Sequence, residues 1–318
     1  MNRKENYIEL CKVEPSIPIF LQPWWLDCVC GESNWDVGLV YKGDSIAAAM
    51  PYYAIKKYGL IKIAQPQLTQ HLGPWIRPSK AKYSKALGQE KDLLQSLVDE
   101  LPAFITFHQS WHFSLTNWLP LYWKGFSQTT KYTYRIPDLT NLDVVLSDTL
   151  ANIKTDIKKA NNKYELTVHD DLPFSEFFEL NKLTFSRQSK EVPYKESFVE
   201  NLITCAVKKE QAKWFIAQDN SGKNHAGVLI VWDENSAYYL MGGGDPELRN
   251  SGATSLCMWE AIKFSSTVTK GFDFEGSMIE PVERFFRSFG GIQTPYFSIS
   301  KNNSRLLKII RGIRGIGQ

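Results

Sequence analysis

The sequence predicts an α/β protein built from two similar modules, each a mixed, mainly antiparallel sheet flanked by helices. Three observations predict it. The 318 residues are too many for one typical domain and comfortable for two. Stretches that alternate apolar and polar residues interleave with stretches whose apolar residues recur every three or four positions. The order of these stretches in residues 1–137 is repeated in residues 138–318.

In the first module, Trp35 to Tyr41 and Ser45 to Ile55 read as strands. Lys42-Gly43-Asp44 joins them as a turn in which glycine accepts a positive φ. Gln65 to Ser79, rich in Gln, Pro and Gly, reads as a loop or irregular strand. Leu93, Leu94, Leu97, Val98 and Leu101 stripe one face of a helix over Gln89 to Leu101, which Pro102 stops. Ala103 to His108 follows as a strand, Asn117 to Phe126 as a short aromatic helix, and Lys131 to Ile136 as a last strand.

The second module opens with a helix over Asp143 to Ala160, broken by Asn161-Asn162, and a strand over Tyr164 to His169. Phe174 to Phe185 and Ser197 to Lys208 have helical spacing. Lys213 to Gln218, Ala226 to Trp232 and Ala237 to Met241 form a strand series, with Asp233-Glu234-Asn235-Ser236 as a hairpin turn. A helix from Ser251 to Ser266, a strand from Gly271 to Glu275, a helix from Pro281 to Phe289 and a strand from Tyr296 to Ser300 complete it. Gln89 to Leu101 answers Ser251 to Ser266, and Ala103 to His108 answers Gly271 to Gly276. Repetition on this scale points to duplication, since solenoid units are far shorter.

Lys plus Arg number 37 against 34 Asp plus Glu, a formal charge of +3. That balance excludes a generalised polyanion-binding surface, so DNA is not an expected partner. The basic tail from Lys301 to Arg314 is a local exception. No window approaches ~18 continuous apolar residues, so no transmembrane segment is expected. The first residues do not resemble an export signal. Five cysteines, an odd number, read as free thiols of a reducing compartment, which predicts a cytoplasmic protein. The histidines form no His-Glu-x-x-His pattern, and no metal is expected.

Several residues carry candidate chemistry. Asp245 to Ala253 joins a strand to a helix, whose first N–H groups point toward any anion placed there. Arg249, Ser251, Gly252 and Ala253 would supply charge, a cap and close backbone approach; a plain Ser-capped helix is the competing reading. Gly242 and Gly243, within Met241-Gly242-Gly243-Gly244, either expose backbone to an extended donor arm or form a flexible turn. Asp273 and Glu275 alternate with Phe272 and Phe274, placing both acids on one strand face. Glu275 is the candidate general base, while Asp273 orients substrate or pairs with Arg284 and Arg287. Tyr239 and Tyr296 are candidate acids for a departing group. Cys257 lies in an apolar helix, so direct transfer is preferred to a covalent acyl-enzyme. Lys154 and Lys158, four apart, either bind acceptor phosphate or form a solvated face. Trp118 and Tyr122 either stack on a sugar or seal the seam between modules.

Ile157-Lys158-Lys159-Ala160, Tyr238 to Gly243, Gly252-Ala253, Phe272 to Ser277 and Glu283 to Gly290 resemble the GNAT-like acetyltransferases related to the Fem peptidyltransferases of bacterial cell-wall synthesis. Asn117-Trp118-Leu119-Pro120 and Tyr132-Thr133-Tyr134 match the same FemAB-like acyltransferases in the first module. The resemblance implies tandem GNAT-like modules and acyl transfer to an amine or hydroxyl, on a small-molecule or glycan-type acceptor such as a cell-envelope precursor. Ordinary members of the family take acyl-coenzyme A, and Fem members take aminoacyl-tRNA. The family's phosphate loop runs Gln/Arg-x-x-Gly-x-Gly/Ala, and here Thr254 stands where the last Gly or Ala belongs. The near-neutral charge, and the lack of a long charge-dense helical hairpin, weigh against tRNA and leave it open. A non-catalytic carbohydrate-binding protein is the remaining alternative.

Overall fold

The computed structural model describes residues 2–187, 191–276 and 278–304. In chain order the elements are α1 (Arg3–Val13), α2 (Pro23–Cys30), β1 (Trp35–Lys42), β2 (Ser45–Lys57), β3 (Leu60–Ala64), β4 (Trp75–Ile76), α3 (Tyr83–Asp99), β5 (Thr106–Ser110) and α4 (Leu119–Trp123). Then follow β6 (Ser127–Ile136), α5 (Leu142–Asp148), α6 (Ala151–Asn162), β7 (Thr167–His169), α7 (Phe174–Arg187), α8 (Glu196–Lys208), β8 (Ala212–Gln218) and β9 (Asn224–Trp232). The last are β10 (Ala237–Gly244), α9 (Ala253–Val268), β11 (Phe272–Asp273), α10 (Glu280–Ser288) and β12 (Ile292–Asn302). The basic tail beyond Ser304 lies outside the described residues.

The chain forms two compact units, divided after Lys131, with the strand from Pro295 assigned to the first unit. The expected boundary after residue 137 lies close to this division, and the last strand among the described residues falls in the first unit from Pro295 onward.

In the first unit, β1 and β2 form the expected hairpin around Gly43, whose φ is +62°. β3, not expected from the sequence, pairs antiparallel with β2 and parallel with β5. β12 closes this set antiparallel to β5, with Ser298 opposite Ser110. Ile63, Leu94, Phe107, Trp111, Leu121, Phe126 and Ile299 build the core between strands, α3 and α4. Two helices precede β1 where the sequence suggested none. Asn2 and Glu5 close a capping box on α1, and Pro23 opens α2 at a position that needs no N–H.

In the second unit, β6 pairs antiparallel with β11, β11 parallel with β10, and β10, β9, β8 and β7 follow antiparallel. α9 covers one face through Leu256, Cys257 and Ala261, packed with Ala226, Val228 and Ile230. α7 lies on the other face over Gly227 and Gly243. Both units share one plan: an antiparallel strand series, a helix, then a strand parallel to the last of the series. β3, α3 and β5 in the first correspond to β10, α9 and β11 in the second.

The expected helix over 143–160 is two helices. Thr149 takes extended backbone after α5, its hydroxyl donates to Leu146 O, and Leu150 N–H donates to Ser288 O. A tertiary acceptor thus interrupts a run that is helical by pattern. Among the described residues no helix is long and apolar enough to cross a membrane.

Candidate active site

β10 and β11 run side by side for two residue pairs, Ala237 with Phe272 and Tyr238 with Asp273. They then part. β10 continues along β9 to Gly244, while β11 ends and Glu275 turns away at φ +58°. A side chain other than glycine in that region is strained, a condition that clusters at functional positions. β10 also carries an irregularity between Tyr239 and Met241, leaving Leu240 as the extra residue against β9. Such a bulge frees backbone groups from the ladder. The opening therefore lies at the carboxyl ends of two parallel strands and leads into the start of α9, where ligands of open α/β sheets bind.

Glu275 is buried at 4% exposure, and its N–H donates to Asp273 Oδ1 at 2.7 Å. Asp273 is fully buried and also accepts from the Thr133 hydroxyl. Its Oδ2 lies 3.7 Å from Arg135 Nε. Burial raises the Asp273 carboxyl to about 6, although Thr133, the Glu275 amide and Arg135 all act in the opposite direction. The expected partners Arg284 and Arg287 are not the ones used. Arg287 pairs with Glu283 at 2.9 Å, and the cation beside Asp273 comes from the neighbouring strand β6. The expected strand also ends two residues early, at Asp273.

Tyr239 is partly buried, with its ring 5.6 Å from Phe286 in an edge contact. Burial, together with the nearby Tyr194 and Glu275, raises its phenol far above the ordinary range. Its hydroxyl occupies the place where a β-carbon of residue 242 would stand. Gly243 is equally constrained, since a β-carbon there would overlap the backbone of Leu180 and Asn181. The glycine run is thus strand, not a flexible turn, and it seats a helix. The hydrogen bond from Asp245 N–H to His225 O shows that Asp245 faces β9. By alternation Gly242 and Gly244 face the edge that β11 vacates. Two of their groups are taken: Asn181 Nδ2 donates to Gly242 O at 2.7 Å, and Gly244 N–H donates to Thr184 Oγ1 at 3.2 Å. Asn181, Thr184, Thr133, Arg135 and Leu240 were missed by sequence reasoning, and no local pattern marks them.

At the start of α9 the cap is Gly252, at φ +83°, not Ser251. The Ser251 hydroxyl instead accepts from Ala253 N–H at 3.3 Å. A β-carbon at 252 would overlap the Asp156 carbonyl, so this glycine also brings α6 and α9 together. Arg249 is exposed in the turn before it. Lys154 and Lys158 lie on α6, where Lys154 Nζ donates to Ser147 O at 2.8 Å and Lys158 is exposed.

Tyr296 belongs to the first unit and packs edge-on against His71 at 5.4 Å. Trp118, which caps α4, and Tyr122 on that helix sit in the same unit, with their rings 5.6 Å apart and Tyr122 58% exposed. The second unit therefore brings together Glu275, Asp273, Tyr239, Gly242 and Gly243, with the Gly252 turn following β10. A cleft of about 390 Å³ in the same unit is lined by Asn161, Leu166, Val168, Asp170, Phe215, Leu256 and Glu260, none of them an expected site residue. Its two carboxylates already pair with Lys213 and Lys263, each at 2.6 Å. Among the described residues no cluster suits a metal ion.

Residues 147–276 match the acetyltransferase (GNAT) domain family. Among curated proteins none matches the chain. Many solved structures are similar to it, three of them as follows. FemX has 13% identity and a TM-score of 0.65, over 93% of this chain and 96% of that one. L-PGS from Bacillus licheniformis has 10% identity and a TM-score of 0.54, over 100% and 98%. A tandem GNAT protein from the clavulanic acid biosynthesis pathway has 11% identity and a TM-score of 0.53, over 95% of each. At such identities the likeness is one of fold.

Proposed function

We propose, for a chain whose residues 147–276 match the acetyltransferase (GNAT) domain family and whose fold is similar to that of FemX, that it moves an acyl group from acyl-coenzyme A to an amine or hydroxyl. A sugar or cell-envelope precursor is the proposed acceptor. One observation carries the reading: β10 and β11 part beside the bulge at Leu240, directly before the α9 amino end. In this reading the thioester carbonyl lies in the opening, where a freed strand amide steadies the negative charge developing on its oxygen. The phosphates lie at the start of α9, with Arg249 as their cation. The acceptor nitrogen or oxygen attacks the carbonyl carbon, the C–S bond breaks, and Glu275 takes the acceptor's proton. Tyr239, held protonated by burial, returns a proton to the sulfur. Lys154 and Lys158 would meet a phosphate carried by the acceptor.

A second reading is aminoacyl transfer from aminoacyl-tRNA. Gly242 O, Gly244 N–H and Ala253 N–H are already bonded within the chain, which leaves fewer groups for a long amide-bearing donor arm and phosphate. A short aminoacyl ester needs none of them, and the fold shared with FemX and L-PGS agrees. The test is calorimetry with acetyl-coenzyme A beside filter binding of charged tRNA, each across a salt series. Binding of acetyl-coenzyme A with label transfer to a lysate acceptor supports the first reading. Salt-sensitive tRNA binding with loss of the aminoacyl group supports the second. Failure of both rejects transfer.

A further inference from the structure

We propose that Asn181 is a positioning residue for transfer, holding the open edge of β10 and the phenol of Tyr194 in one frame; this rests on the transfer reading above. Asn181 is 3% exposed on α7, and both ends of its carboxamide are used. Its Nδ2 donates to Gly242 O at 2.7 Å, and its Oδ1 accepts from Tyr194 OH at 2.9 Å. The Gly242 partner fixes the amide's orientation, since a carbonyl only accepts, and the Tyr194 hydroxyl is left to donate to the amide oxygen. The Tyr194 ring is steadied further by Phe178 and Phe185, with centroids 6.5 and 6.1 Å away.

The need for such a residue follows from the departure of β11. Beyond Tyr238, β10 has no strand on that side, and its sequence there is glycine, the residue with the most backbone freedom to lose. Gly242 is also the residue on which the Tyr239 hydroxyl rests. A shift of the Gly242 peptide therefore displaces the proposed proton donor and the neighbouring bulge together. The carboxamide supplies the restraint that a paired strand would have given, and it leaves the edge between Leu240 and Gly242 open. Thr184, bonded to Gly244 N–H one helical turn further on, holds the end of the same segment.

The experiment uses the full chain with Asn181→Leu, Asn181→Gln and Tyr194→Phe, reading kcat, acceptor KM, donor KM and melting temperature. Asn181→Leu keeps the volume and loses both hydrogen bonds; Asn181→Gln keeps both functions on a longer stem; Tyr194→Phe keeps the Gly242 bond. The expected result is a kcat ~10-fold lower in Asn181→Leu with donor KM unchanged, partial recovery in Asn181→Gln, and at most about a 3-fold loss in Tyr194→Phe. If Asn181→Leu fails to fold, the other two decide. Wild-type kcat in Asn181→Gln together with a larger loss in Tyr194→Phe would overturn the assignment, as would losses confined to KM. If the wild-type chain transfers from neither acetyl-coenzyme A nor aminoacyl-tRNA, the transfer reading fails and this inference with it. If it transfers and all three variants match it, the inference alone fails.

Discussion

Gly227 and Gly243 stand directly opposite each other on β9 and β10, and together they form the floor on which α7 lies. A β-carbon at 227 would come within 2.8 Å of the Phe177 ring, and one at 243 would overlap helix backbone. The two positions differ in kind. An aromatic ring can shift by a few tenths of an ångström, whereas helix backbone moves only with the whole helix.

Gly243→Ala is therefore expected to destabilise the chain by about 1–3 kcal/mol, the usual range for overpacking, and Gly227→Ala by less. Chemical denaturation of both variants checks this order. Equal losses would mean that α7 yields as easily as the Phe177 ring.

Asp273 should give the stability a pH dependence of definite sign. Its folded value of about 6 lies above the ordinary value near ~4, so the folded state binds the extra proton between these limits. Stability from this group is then greatest below ~4 and falls as pH rises toward about 6, by roughly 3 kcal/mol in all. Asp273→Asn should flatten the curve in that window. Urea unfolding of both proteins at intervals from pH 4 to pH 7.5 reads the difference, and parallel curves would contradict it.

Glu275→Gln should leave melting temperature and donor affinity unchanged and lower single-turnover transfer by ~10²-fold. Tyr239→Phe should lower the rate less, because water can protonate a thiolate. Wild-type turnover in Glu275→Gln would leave orientation and desolvation to drive transfer from an already neutral acceptor.

Residues 138–318 expressed alone should not fold cooperatively. Such a fragment lacks Thr133 and Arg135, leaving Asp273 buried without its hydroxyl donor and without its cation. It also lacks the strand that pairs with β11 through Ile136 and Arg135. A soluble fragment with a sharp melting transition would count against this view.

What the sequence disclosed divides along physical lines. The hairpin at Gly43 and the elements β8, β9, α8 and α9 are set by local period and turn residues, and they fall within one or two residues of expectation. The partner of Asp273 is set by strand pairing across 138 positions in the chain, and nearness in sequence pointed wrongly to Arg284 and Arg287. The glycines at 242 and 243 were visible as glycines. What fills the space above them was not, because α7 and the Tyr239 hydroxyl arrive there only through the tertiary fold. Leu240 carries no signal at all, since a bulge depends on the neighbouring strand's register.

That extra residue has a consequence for which changes β10 can tolerate. In a regular strand, positions 239 and 242 would project to opposite sides, being an odd number apart. Here they share a side, because one residue has been counted twice against β9. The strand thus keeps two reading frames, one for the tyrosines before Leu240 and another for the glycines after it. Deleting Leu240 would merge the frames yet leave every later residue on its present side, since Tyr239 and Gly242 would then stand two apart in a regular strand. What the deletion would remove is the bulge itself, with the local bend and the break in the ladder that it gives β10. Lineages of this chain that lose the residue should therefore keep the facing of Gly242 and Gly243 and forfeit only the break in the ladder between β9 and β10.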